Sequence, residues 1–234
     1  MSRQSFGREH PEGDGGAGAP TSGFPPLPLG RRRLPADFVD SYQRQRMVAA
    51  LIDTVDRCGP NSLTVAKIVK TAGVSRSTFY EHFRDCDDCF DFTCDEAFGV
   101  LFDPFGKAFA EPGPWAERLS AALAALLAAL AKEPLLGELC LVHSPARQPD
   151  RRTYRRAVDV LAAALRGARP ASAQDLPPLG EELLARGAVA LIAARLAAGE
   201  GEGLEELAPQ LTHLLTAPLE LEGTDWPNAP AILG

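Results

Sequence analysis

The chain has 234 residues, 45% of them hydrophobic, with 24 basic and 31 acidic side chains and a net charge of −7. That composition belongs to a globular chain of one good-sized domain or of a small domain joined to a larger one, and it excludes wholesale disorder. No apolar run approaches the ~20 residues of a membrane helix, the first residues lack the apolar core of a secretory leader, and five cysteines in such a chain predict free thiols in a reducing cytoplasm.

In chain order, residues 1–35 open as a Gly- and Pro-rich stretch with no helical periodicity, predicted to be a disordered arm ending in Arg31, Arg32 and Arg33. Phe38 to Cys58 is predicted helical because Val48, Leu51, Ile52 and Val55 recur at three- and four-residue spacing. Thr64 is a good N-cap for a two-turn helix carrying Val65, Ile68, Val69 and Ala72. Gly73 is suited to a positive-φ turn, and Ser75 caps a second short helix, Arg76 to Phe83. Two short helices joined by a tight Gly-containing turn have the sequence form of a helix-turn-helix.

Asp85 to about Phe102 is predicted as one helix that Pro104 kinks or stops. Further helices are expected at 114–131, 133–142, 150–167, 179–199 and 204–216, with a loose tail over 223–234. No stretch alternates with period two, so the predicted class is all-α.

On a helical wheel of ~100° per residue, Phe79 and Phe83 share the buried face of the second short helix, with Ser77, Thr78 and Glu81 opposite. Arg76 and Tyr80 flank one side and His82 the other. Small hydroxyls at the centre permit close approach to a major groove, and long polar groups at the edges suit phosphates. Charge agrees: residues 31–84 hold 10 basic and 5 acidic groups, +5, whereas residues 85–234 hold 12 and 23, −11. A basic block on an acidic body is the electrostatic footprint of a nucleic-acid-binding head.

The run from Leu63-Thr64 to Phe83, with GVSRSTFYEHF at 73–83, resembles the DNA-binding domain of TetR-family transcriptional regulators, over roughly residues 42–90. The resemblance implies a three-helix helix-turn-helix domain at 36–84, followed by an effector-binding and dimerisation domain at 85–222. It places Thr64, Lys67, Ser75, Arg76, Ser77, Thr78, Tyr80 and His82 at DNA-contact positions. Cys86 departs from the family's phosphate-binding lysine, and Asp85, Asp87 and Asp88 weaken phosphate contact there. Arg84, Lys70 and the Arg31–Arg33 arm are available to compensate.

Leu183 to Ala198 carries only Arg186 and Arg195 as charges, on opposite sides, so the helix has no continuous polar face and needs a partner. By resemblance, this helix and the next build a homodimer interface, with Leu184, Ala188, Leu191, Leu207, Leu211 and Leu214 as candidates. The dimer would present two recognition helices to a palindromic operator. Residues 85–180 would hold a small-molecule pocket, with Phe98, Phe102, Phe105, Trp115, Cys140, His143 and Tyr154 as candidate lining and Phe109 extending the aromatic stripe if the helix passes Pro104.

Two other functions compete. One is a regulator with altered or lost DNA binding that acts through a protein partner, suggested by Cys86 and Glu81. The other is a thiol or metal switch using Cys86 and Cys89, near His82 and Cys94. The expected function remains a ligand-responsive repressor with no metal or cofactor. Enzymatic activity is not expected, because no nucleophile elbow, Gly-rich phosphate loop or His/carboxylate metal motif is present.

Overall fold

The helices follow the caps and apolar spacings of the sequence, and the computed structural model describes residues 36–147, 152–167 and 179–220. The predicted arm (1–35), with Arg31–Arg33, and the predicted tail (223–234) lie outside the described residues. Among the described residues there is no strand. α1 (Ala36–Cys58) ends where Gly59 takes φ 75°. After a short 3-10 turn come α2 (Val65–Ala72) and α3 (Arg76–His82). Met47, Leu51, Ile68, Ala72 and Phe79 are all fully buried and form the core of this N-terminal head.

The body begins with α4 (Cys86–Ala110), α5 (Trp115–Lys132), and α6 (Pro134–Gly137). A π-helical turn (Glu138–His143) and α7 (Ser144–Arg147) follow. α8 (Arg152–Arg166) and α9 (Gly180–Ala197) come next. A 3-10 segment (Gly201–Leu207) then leads into α10 (Ala208–Glu220). α4 packs mainly on α5, α8 on α9, and α5 on the 3-10 segment and α10.

One expectation needs correction. Pro104 does not stop α4, which runs on for another turn and a half to Ala110. Proline removes one helical hydrogen bond and crowds the carbonyl four residues earlier, that of Val100, at a cost of about 3 kcal/mol. Val100 is 55% exposed, so water can serve that carbonyl, while Leu101, Phe102 and Phe105 are buried around the proline and hold the helix together. The helix expected over 133–142 is present and runs on to Arg147, with a π-helical turn at Glu138–His143 inside it. Gly137 precedes the π-helical turn, where a Cβ would fall 2.7 Å from Leu130 Cδ2 and 3.0 Å from Leu196 Cδ1. The backbone therefore passes closer to α5 and α9 than a side chain allows.

Candidate nucleic-acid interface

Local capping builds the head. Thr64 adopts an extended backbone and its hydroxyl accepts from Lys67 N–H at 3.2 Å, opening α2. Gly73 closes α2 at φ 63°, ψ 37°, and Val74 N–H reaches back to Val69 C=O at 3.1 Å. Arg46 of α1 donates to Gly73 C=O at 3.4 Å, and a Cβ at Gly73 would stand 2.8 Å from that guanidinium. Ser75 opens α3 by accepting from Thr78 N–H at 3.0 Å. Its hydroxyl also lies 2.6 Å from that of Ser77 and 2.9 Å from that of Thr78.

Phe79 and Phe83 anchor α3 from beneath, with ring centroids 5.6 Å apart, and Phe83 meets Phe92 of α4 at 5.6 Å. Above them Ser75, Arg76, Ser77, Tyr80 and Glu81 are exposed, as are Thr64 and Lys67 on the neighbouring helix, while Thr78 is half-buried. Tyr80, 56% exposed, is supported edge-on by the Phe79 ring at 5.5 Å. Seven of the eight candidate DNA-contact residues thus reach solvent.

The eighth does not. The His82 side chain is 2% exposed and lies against α1, with Nδ1 3.5 Å from Asp40 Oδ1 and Nε2 3.5 Å from Gln43 Oε1. The wheel placed it at an edge of the recognition surface; the fold turns it inward as a tie between α3 and α1. Asp40, Gln43 and Arg46, which hold α3 and the turn before it, escaped sequence reading because their partners lie 27 to 42 residues away.

The start of α4 is electrostatically closed on itself. Asp85 caps it by accepting from Asp88 N–H at 2.8 Å. Asp88 accepts from both the side chain and the backbone N–H of Arg84, each at 2.9 Å. These bonds hold the Asp88 carboxyl below its ordinary range and raise Arg84. Arg84, a candidate to replace the missing lysine, is therefore already paired; Lys70 remains exposed.

Cysteine chemistry near the head finds little support. Cys89 is fully buried, and burial pushes its thiol up to about 12, away from the reactive thiolate. Cys94 and Cys140 are buried together: Cys94 S–H donates to Leu139 C=O at 3.7 Å and Cys140 S–H to Cys94 C=O at 3.5 Å. Hydrogen bonding to Cys94 and burial raise the Cys140 thiol. Among the described residues, no three His, Cys, Asp or Glu side chains come together as a metal set.

In the body, the aromatic stripe forms but is closed. Phe98 and Phe102 stack at 4.1 Å, Phe105 and Phe109 at 5.9 Å, and Phe98, Phe102, Phe105 and Cys140 are buried. Trp115, half-buried, donates from Nε1 to Ala164 C=O at 3.0 Å. His143 faces Glu138 at 3.7 Å, and burial lowers its basicity. Tyr154 is half-buried at the edge of the core. Two clefts open elsewhere. One of about 730 Å³ runs between Glu138 and the 200–210 region, and one of about 530 Å³ lies between α1 and Phe92. Neither is lined by these candidate pocket residues.

The candidate interface residues split. Ala188, Leu207 and Leu211 are buried in the chain's own core and Leu184 is half-buried, whereas Leu191 and Leu214 are exposed. Leu183, 71% exposed, together with Gly187, Ala190 and Ala194, extends the open apolar face of α9 beside Leu191.

A capped recognition helix with an exposed hydroxyl-and-aromatic face, set on an all-helical body, defines the class of helix-turn-helix proteins. Residues 56–91 match the family model for bacterial regulatory proteins of the tetR family, so this part of the chain is similar to that family's helix-turn-helix. No curated protein matches the chain in sequence. Among solved structures, the fatty acid degradation regulator FadR from Bacillus halodurans is similar at a TM-score of 0.63 and 17% identity, covering 81% of this chain and 99% of that one. FadR from Bacillus subtilis, in complex with stearoyl-CoA, is similar at 0.62 and 18%, covering 74% and 98%. A TetR-like transcriptional regulator from Rhodococcus sp. RHA1 is similar at 0.59 and 21%, covering 78% and 96%. These likenesses show a TetR-like fold for the described chain.

Proposed function

We propose that the protein is a DNA-binding transcriptional regulator, a ligand-responsive repressor that binds a palindromic operator as a homodimer. The observation that carries this reading is the outer face of α3, where Arg76, Ser77 and Tyr80 stand exposed on a helix anchored by Phe79 and Phe83. The helix enters a major groove. Ser77 and Thr78 approach base edges, while Tyr80, Arg76, Lys67 and the Thr64 and Ser75 hydroxyls meet phosphates. His82 contributes by fixing α3 against α1.

The open apolar face of α9 supports dimerisation, because a contiguous exposed stripe is stable in water chiefly when a second copy covers it. Dimerisation sets the spacing of two heads. α4 carries each head, so a ligand that parts the stacked rings of Phe98 and Phe102 shifts the dimer toward a spacing that no longer fits the operator. The FadR complex with stearoyl-CoA supports a ligand-binding body in this fold, without specifying the ligand here.

Titration of the purified protein onto duplex DNA from upstream of its own gene tests the reading. The expected result is sequence-specific binding that weakens steeply with salt. Equal affinity for scrambled DNA, or insensitivity to salt, contradicts it.

A further inference from the structure

Among the described residues of the acidic body, basic charge is concentrated at the start of α8. Three of the body's 12 basic residues, Arg152, Arg155 and Arg156, fall within the first five residues of α8. At ~100° per residue they share one arc of the helix, opposite the buried Ala157, Leu161 and Leu165. No acidic residue stands in the first turn. The helix dipole disfavours cations at this end, so local helix stability does not account for the cluster.

Contacts fix where the patch lies. Arg156 sits 4.2 Å over the Phe98 ring and 4.0 Å from Asp95, both on α4. At the other end of α8, Ala164 C=O receives Trp115 Nε1, just beyond the end of α4. α8 therefore runs in the same direction as α4, and its first residues lie toward the head. Asp95 is about 13 Å along α4 from Cys86, and Arg152 precedes Arg156 by about 6 Å. Arg152 is thus level with the second turn of α4, close to where that helix leaves the recognition helix. The start of α4 is poor in available cation, because Arg84 is committed to Asp88 and position 86 is a cysteine rather than a lysine.

We propose that Arg152 and Arg155, exposed at the head-proximal end of α8, form a second DNA-backbone contact made by the body alongside the recognition helix. This inference rests on the DNA-binding reading above. Arg156, held by Phe98 and Asp95, positions the turn; Arg152 and Arg155 meet phosphate oxygens that flank the groove occupied by α3. Such contacts add affinity and salt dependence without reading sequence.

Fluorescence anisotropy on the full chain tests it, using upstream and scrambled duplexes over a range of about 50 to 300 mM salt. R152A/R155A is compared with R152K/R155K and with R166A, which removes a charge from the far end of the same helix. R152A/R155A is expected to weaken both duplexes by the same factor, roughly tenfold, and to reduce the slope of log affinity against log salt by about 2 per protomer. R152K/R155K should recover the slope, and R166A should leave it unchanged. If R152A/R155A binds DNA as R166A does, the inference fails while the DNA-binding reading stands. It fails equally if DNA binding is unchanged and the pair instead proves necessary for binding inorganic pyrophosphate. If wild type binds neither duplex, both readings fall.

Discussion

Phe79 is the residue on which the recognition surface rests. It is fully buried between α3 and the head core, so Phe79→Ala leaves a large cavity and should cost about 3–5 kcal/mol of head stability, read from urea unfolding. Gly73→Ala should cost about 1–3 kcal/mol, because a left-handed backbone and the nearby Arg46 guanidinium both oppose a Cβ. Tyr80→Phe removes a hydroxyl and no packing. It should lower affinity for all sequences alike with the melting temperature unchanged, whereas Ser77→Ala should alter sequence preference. His143 titrates with a definite sign. Burial depresses its folded pKa below the ordinary histidine value, so the unfolded chain binds more protons below about pH 6.5. Stability is full above that pH and declines as pH falls toward the folded pKa. His143→Gln should flatten this part of a stability–pH profile measured by thermal unfolding.

At the scale of elements, legibility followed the range of the determining interactions. α2, its turn and α3 were readable to within a residue because Thr64, Gly73 and Ser75 act on backbone groups three to five residues away. The recognition face was readable for the same reason, since the wheel positions of Phe79 and Tyr80 are local geometry. His82 was misread because its partners Asp40 and Gln43 come from α1, and no local pattern indicates them. Pro104 does not end α4, because burial of Phe102 and Phe105 across the helix overrides a local stop signal. The pocket was not readable because stacked phenylalanines look the same in a sequence whether they line a site or fill a core. For α9, the lack of a continuous polar face was legible, and the fold leaves Leu183, Leu191 and, between them, Gly187 and Ala190 exposed. Leu191→Glu places a charge in the exposed stripe and should convert a dimer into a folded monomer, as measured by analytical ultracentrifugation.

At the scale of the molecule, the net charge of −7 conceals two opposed regions. The positive excess belongs to the sequence over residues 31–84, three of whose charges are Arg31–Arg33 outside the described residues. The body is acidic overall, with its arginines 152 and 155 gathered at the end nearest the head. On the proposed function, DNA attracted to the heads and repelled by most of the body would be held in one orientation, and two heads on the proposed dimer would demand two half-sites at a fixed interval. DNase footprinting of the wild-type protein on the DNA upstream of its own gene tests this directly. The account predicts one protected region with two inverted half-sites, their centres about one helical turn or a multiple of it apart, lost when Tyr80 and Arg76 are both replaced by alanine. Protection that ignores sequence, or that survives the double replacement, would contradict it.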